Sequence, residues 1–249
     1  MGFGLYIIGD EILSGRRQDR HFAKIRELLA ARGLMLDWVQ YLGDDTERQA
    51  RALRASFAAD DIVFSCGGIG ATPDDHTRQA AAAALGVELS LHPEAEREIR
   101  ARFGAGITPQ RLQLGAFPAG SAIIPNPYNR IPGFSVAEHH FVPGFPEMAW
   151  PMIEWLLDTR YAALARQIAY CERSYIVWDG HEGELIPLMQ LAESSWPGLR
   201  IFSLPSFGTA DMPRHLELGA KGVPQDVAAA MDLLAEELRR RGLKFEEKA

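Results

Sequence analysis

The chain has 249 residues, 47% of them hydrophobic and 24% charged, with a net charge of −7. These proportions belong to a soluble globular protein of one large domain or two smaller ones, whose core needs no disulfide or metal staple. The acidic balance argues against a general nucleic-acid-binding surface, because phosphate backbones reward dense Lys and Arg.

The chain runs from Met1 straight into a strand pattern, with no basic leader, no cleavage motif and no apolar stretch long enough to span a bilayer. Cys66 and Cys171 build neither a disulfide framework nor a C-x-x-C motif. The expected location is therefore cytoplasmic, with both thiols reduced and no membrane partner.

Residues 5–8 read as a buried strand. Phe22, Ile25, Leu28 and Leu29 recur at helical spacing over residues 21–32, and Gly33 closes that helix. Residues 34–41 read as a second strand. Gly43-Asp44-Asp45-Thr46 follows as a turn and ordinary helix start, and residues 47–58 carry Ala50, Leu53 and Phe57 on one helical face. A third strand over 62–65 leads through a glycine turn into the alanine-rich helix 78–85. This β-α-β-α-β-α order predicts an α/β fold with a parallel sheet covered by helices on both faces. Right-handed crossovers then gather the loops that follow the strands on one rim, where open α/β sheets bind ligands.

Residues 93–103 predict another helix. The segment 107–146 is rich in Pro and Gly, with short strands at 122–124, 134–136 and 141–142. Residues 147–157 return to helix, with Met148, Met152 and Leu156 at core spacing. A boundary near 158–160 gives a larger domain over 1–158 and a small α+β domain over 165–243. The latter reads as strand 165–177, helix 182–194, strands 199–204 and 214–220, and helix 224–241. Residues 244–249 read as a frayed tail.

The stretch from Cys66 to Thr77 is the most informative. Gly67, Gly68 and Gly70 flank Ile69, so backbone N–H groups can approach a ligand that side chains would exclude. Thr72 is placed as a helix cap, Pro73 as the first helical residue and Asp75 as the end of a T-x-x-D box. Free amides at such a helix start attract anions, which points to a nucleotide- or pterin-sized phosphate compound. Neither a P-loop nor a G-x-G-x-x-G fingerprint is present.

Asp74 and Asp75 admit two readings: complementing the helix dipole, or holding a magnesium or other divalent cation between themselves and substrate phosphate. A neutral ligand edge presenting N–H or O–H donors would serve the carboxylates equally well. Asp10 and Glu11 end the first strand and share the rim, unless they serve only turn chemistry. His76 reads as a surface residue and Cys66 as a small buried filler. His139 and His140, being adjacent in a strand, point to opposite faces. The rigid turns at Pro132-Gly133-Phe134 and Pro143-Gly144-Phe145-Pro146 either stiffen loops or wall a flat heterocycle.

Three segments recur in a familiar order: Gly9-Asp10-Glu11-Ile12-Leu13-Ser14-Gly15 with Asp19 shortly after; Gly67-Gly68-Ile69-Gly70-Ala71-Thr72-Pro73-Asp74-Asp75-His76-Thr77; and Asn126 to Phe134 followed by Pro143-Gly144-Phe145-Pro146-Glu147-Met148. Together they resemble the molybdopterin-binding-like domain shared by CinA-type proteins and the MogA, MoaB and MoeA group. The remainder resembles the small KH-like domain that follows this core in CinA-type proteins. Ala71 departs from the usual proline, Asp19-Arg20-His21 from an N-T-N-like stretch, and Asn129-Arg130-Ile131 from a G-T-A.

The resemblance implies a three-layer parallel-sheet domain whose ligand contacts are Asp10, Glu11, Ser14, Gly15, Asp19, Gly67, Gly68, Ile69, Gly70, Thr72, Asn126, Pro132, Gly133, Pro143 and Gly144. The ligand would be molybdopterin-like or a nucleotide. It also implies a sharper alternative: a divalent-metal-dependent pyrophosphatase acting on ADP-ribose- or FAD-type substrates, with Asp74 and Asp75 as metal-holding catalytic residues. A non-catalytic scaffold is the third reading, since this fold hosts all of these roles. Self-association into a homo-oligomer is a further implication. The amidohydrolase-type domain of full-length CinA proteins is not seen in the sequence, so nicotinamide mononucleotide deamidation is not carried over.

Overall fold

The computed structural model describes residues 2–165, 171–208 and 213–248. They fall into two compact units, Met1–Ala165 and Arg166–Ala249.

In the first unit, β1 (Phe3–Ile8) leads through a single-turn helix α1 (Asp10–Leu13) to α2 (His21–Ala30), β2 (Trp38–Leu42), α3 (Thr46–Phe57), β3 (Ile62–Cys66) and α4 (Thr77–Leu85). Then come β4 (Leu89–Leu91), α5 (Pro93–Phe103), α6 (Pro109–Gln113), β5 (Ala116–Pro118), β6 (Ala122–Ile124), β7 (Gly133–Val136), β8 (His139–Val142) and α7 (Pro146–Thr159). The main sheet has the order β2-β1-β3-β8-β7-β6. Its first four strands are parallel, and β7 and β6 extend it antiparallel. A two-stranded ribbon pairs β4 with β5.

Alternation along the buried strands builds two cores, one on each face of the sheet. Phe3, Leu5 and Ile7 of β1 join Ile62 and Phe64 of β3 under α2 and α7. Tyr6, Ile8 and Val63 face the other way, against α3, α4 and α5. Phe117, Phe134 and Phe141 stack in that second core, with centroids 4.8 and 4.4 Å apart. The result is the three-layer α/β arrangement expected from the order of elements.

Several details differ from the sequence reading. Only Trp38–Leu42 finds ladder partners on β1, so the second strand is shorter than 34–41. In α7 the buried face is Ala149, Met152, Ile153, Leu156 and Leu157, and Met148 is only half-buried. The helix expected to start at Thr72 starts at Thr77.

His139 and His140 do lie on opposite faces. His139 Nε2 meets Ser56 Oγ at 2.7 Å, and His140 bridges Ser135 Oγ and the Tyr161 hydroxyl. Tyr161 in turn donates to Glu138, which is ion-paired with Arg160.

The second unit runs β9 (Cys171–Trp178), α8 (Glu182–Ser195), β10 (Arg200–Ser206), β11 (His215–Gly222), α9 (Pro224–Arg240) and β12 (Phe245–Glu247). Its sheet has the order β10-β11-β9-β12 and is antiparallel throughout. Val177, Leu188, Leu218, Met231 and Leu234 are among the residues of its core under the two helices. The expected strand over 165–177 is observed from Cys171; residues 166–170 of that reading lie outside the described residues. The tail expected to fray instead pairs with β9, because Phe245 packs edge-on against Tyr175 at 4.9 Å and draws the chain into register. Among the described residues, no helix is long and apolar enough to cross a membrane.

Candidate functional site

The sheet order places a topological switch between β1 and β3. From β1 the chain crosses to β2 with α2 on one face, then returns to β3 with α3 on the other. In open α/β sheets a crevice opens at the C-terminal ends of the strands where this happens. Here the residues after β1 and after β3 border a cleft of 510 Å³.

The glycine turn forms one wall. The Gly67 N–H continues the ladder by donating to Val142 O at 3.0 Å. Its φ of 110° and a Cβ-to-Ile8 O approach of 2.3 Å leave room for glycine alone. Gly68, with φ of 68°, turns the chain so that Thr77 N–H donates back to Gly68 O at 3.0 Å. The N–H groups of Gly68, Ile69, Gly70 and Ala71 have no partner among the described residues. Gly67, expected as an amide donor, therefore lines the cleft with its own N–H already spent. The free donors shift one residue along the chain.

The T-x-x-D pattern folds in the reverse sense from a capping box. The Asp75 carboxylate accepts the Thr72 N–H at 2.9 Å and also the Thr72 hydroxyl, closing a turn in which Asp75 N–H reaches Thr72 O at 3.0 Å. A side chain that captures its own turn competes with helix formation, which is why the helix waits until Thr77.

Behind the turn lies Arg78, only 5% exposed. Its guanidinium donates to Gly70 O and Gln113 O, while its Nε has no partner. Burial lowers its pKa, with Asp75 acting in the opposite direction. Turning the Gly70 carbonyl toward Arg78 helps leave the neighbouring N–H groups free for the cleft.

The opposite wall is acidic. Asp10 and Asp44 exchange backbone hydrogen bonds across the ends of β1 and β2, and Asp44 lines the cleft with Glu11, Asp74 and Asp75. Arg17 crosses the mouth, its N–H donating to Glu11 O at 3.0 Å and its guanidinium lying 5.9 Å from the Phe145 ring centroid. Arg17, Glu11 and Phe145 also border a second cleft of 340 Å³, which reaches down to Ile7, Cys66 and His21. Cys66 is buried there, and burial pushes its thiol up, away from the thiolate form.

The structure thus brings Glu11, Gly67, Gly68, Ile69, Gly70, Thr72, Asp74, Asp75, Pro143 and Gly144 to one cleft, with Asp10 fastened beside it. Other expected contacts are elsewhere. Ser14 and Gly15 form an exposed turn. Asp19 accepts His21 N–H, Phe22 N–H and the Tyr41 hydroxyl, so its carboxylate serves the start of α2.

Asn126 and Pro132 border a separate cleft of 310 Å³ with Glu98, Arg130 and Trp155. Asn126 ties its own loop by bonding Ile131 O and Tyr128 N–H. Gly133 is buried in β7, where a Cβ would meet Phe141 O at 2.3 Å.

Sequence reasoning passed over Asp44, Arg17 and Arg78. Asp44 carried a usable signal, since it ends a strand adjacent to β1 and so had to reach the same rim. Arg17 and Arg78 carried none that distinguishes them from other arginines on helices and turns.

Among the described residues, no group of three or more His, Cys, Asp or Glu is arranged to hold a metal ion. The Asp75 carboxylate is turned into its own Thr72 loop, while Asp74 is exposed at the cleft.

Residues 4–163 match the family described as "Probable molybdopterin binding domain". A CinA-like protein of Anaeromyxobacter sp. (strain Fw109-5) is 37% identical over 164 residues, which cover 63% of this chain and 40% of that relative. A protein of Thermoplasma acidophilum is 27% identical over 241 residues, covering 94% of this chain and 92% of its own. Among solved structures, a protein described as CinA with unknown function, from Thermoplasma acidophilum, aligns with a TM-score of 0.58 at 27% identity. It covers 64% of this chain and 98% of that one.

Proposed function

The chain belongs to the molybdopterin-binding domain family, and on that premise we propose that its first unit binds a phosphorylated heterocycle, molybdopterin-like or nucleotide, in the cleft between β1 and β3. The observation that carries this is the row of N–H groups from Gly68 to Ala71, unpartnered among the described residues and lining the cleft, with the buried Arg78 behind it. Oriented backbone donors form an anion-binding concavity, and a buried cation with no bonded carboxylate gains from an anion placed near it. Asp75, whose carboxylate is satisfied by Thr72, adds less repulsion than a free carboxylate would. Arg17 contributes positive charge at the mouth.

Glu11 and Asp44 suit donors on the rest of the ligand, such as ribose hydroxyls or ring N–H groups. The alternative, a divalent-metal-dependent pyrophosphatase, would draw on Asp74 and Asp75 together with substrate phosphate; no larger His, Cys, Asp or Glu group supports it among the described residues.

The test is calorimetric titration in EDTA with guanosine 5′-monophosphate (GMP) and with guanosine. The nucleotide binds and guanosine binds at least about tenfold more weakly, the worth of one charge-assisted anion contact. Equal affinity of the two, or no binding of the nucleotide, defeats the reading.

A further inference from the structure

The 310 Å³ cleft beside the edge strand β6 shares no lining residue with the anion cleft. Three residues that are costly where they stand converge on it. Arg130 has a φ of 63°, a conformation that glycine adopts freely and other residues resist. Asn126 O holds it there by accepting its N–H at 3.0 Å. Pro151 sits inside α7, where a proline removes an N–H from the helix ladder and crowds the preceding turn. One helical turn on, Trp155 shares the face of Pro151 and is 41% exposed. Local rules broken together at one place are what a functional site is expected to show.

The contact that Arg130 makes does not account for its position. Among the described residues, one hydrogen bond joins Arg130 to Glu98, from Nε to Oε2 at 2.9 Å, and the two side chains stay 56% and 39% exposed. An exposed pair of this kind returns little stability, less than a left-handed arginine costs. Both side chains border the cleft. The Nη groups of Arg130 and Glu98 Oε1 make no hydrogen bond among the described residues, which leaves donors and an acceptor side by side.

That pairing suits a ligand carrying both signs of charge on neighbouring atoms. A lone anion would meet the Glu98 carboxylate, and a lone cation the Arg130 guanidinium. The remaining wall is apolar and stiff, built from Ile123, Pro132, Pro151 and the Trp155 ring, whose face is available for stacking. The volume lies at the small end for ligand sites, the size of one amino acid rather than a nucleotide. We propose that this cleft binds a free α-amino acid with an aromatic or large apolar side chain. Its carboxylate meets Arg130, its ammonium meets Glu98, and its side chain packs on Trp155 and the prolines.

Calorimetric titration with three probes tests this: L-phenylalanine, phenethylamine, which lacks the carboxylate, and 3-phenylpropionate, which lacks the ammonium. Wild-type protein binds L-phenylalanine at least about fivefold more tightly than either analogue. Arg130→Gly, whose backbone suits the observed φ, melts no lower than wild type and loses the advantage over phenethylamine. Glu98→Gln loses the advantage over 3-phenylpropionate. Trp155→Ala weakens all three probes by a similar factor. L-phenylalanine also moves the Trp155 indole N–H resonance, identified by its absence in Trp155→Ala.

No binding of L-phenylalanine at millimolar concentration overturns the assignment. So do equal affinities for the three probes, or an advantage that survives in both Arg130→Gly and Glu98→Gln. None of these outcomes depends on whether GMP binds the anion cleft.

Discussion

Asp10 and Asp44 each accept the other's backbone N–H, Asp44 Oδ2 from Asp10 at 3.0 Å and Asp10 Oδ1 from Asp44 at 3.3 Å. The exchange pins the end of β1 to the end of β2 and holds two carboxylates side by side at the cleft. Burial pushes the Asp44 carboxyl up; the Asp10 N–H opposes this, while the charges of Asp10, Glu11 and Asp74 reinforce it.

A raised folded-state pKa means that the stability Asp44 contributes is complete below its unfolded value and is lost as pH rises through the raised one. Asp44→Asn keeps an acceptor for Asp10 but removes that charge. It stabilises the protein at pH 7 by less than about 1 kcal/mol, since much of the side chain faces solvent. The same change tightens GMP binding by about two- to fivefold through lost repulsion. Urea denaturation and titration at several pH values measure both, and weaker GMP binding in Asp44→Asn counts against an anion in this cleft.

Gly68→Ala strains a backbone at φ 68° and drives a Cβ to 2.1 Å from Thr77 Oγ1. It costs at least about 1–2 kcal/mol and reduces GMP affinity by about tenfold or more, the loss of one or two anion hydrogen bonds. Gly120→Ala is the control. Its φ of 86° is similarly strained, but its Cβ meets nothing within 4 Å and it lies in the turn before β6. That variant loses comparable stability and keeps its affinity.

Arg78→Met removes a buried cation and leaves the Gly70 and Gln113 carbonyls without their donor. Relief of the buried charge and loss of two hydrogen bonds oppose each other, so the free protein changes by no more than about 2 kcal/mol. GMP affinity falls by about tenfold or more. Differential scanning with and without GMP reads both at once: the Tm rise on adding nucleotide is large in wild type and small in Arg78→Met. An undiminished rise removes Arg78 from the anion site.

The buried histidines set an acid limit. Desolvation pushes His139 down to about 4, and desolvation with Arg160 nearby pushes His140 down to about 3. Both are neutral in the fold, so the stability they contribute is present above the unfolded value of 6.5 and is lost as pH falls toward the folded values. With both protonated in the unfolded chain, stability below pH 6 declines by up to about 2.7 kcal/mol per pH unit, two protons at about 1.4 each. His139→Gln removes one proton from that difference and leaves a slope of about 1.4 kcal/mol per pH unit from His140. Denaturation curves between about pH 4.5 and 7 test this against the exchange expected from linkage.

The layered architecture was legible because buried parallel strands read as short apolar runs between amphipathic helices. Residues 5–8 and 62–65 left little alternative once helices flanked them. The glycine turn was legible as a ligand loop for the same local reason, since glycines so close together exceed what a connection needs. Orientation was not legible. Whether Asp75 caps a helix or closes its own turn depends on which conformer the loop selects, and T-x-x-D permits both. Asp19 and Asn126 sit in segments that resemble a family's ligand loops, yet their side chains are taken up by nearby backbone groups. Arg78 became visible only when packing showed which carbonyls face it.

Tyr161 lies past the end of α7, yet it is 5% exposed and completes the hydrogen-bonded string from Glu138 to Ser135 through His140. Anyone excising the first unit for expression should cut beyond Leu164, which packs on the same core. A break at residue 158, where the sequence pattern suggests a boundary, would unplug the string and leave an imidazole and a carboxylate facing a hole.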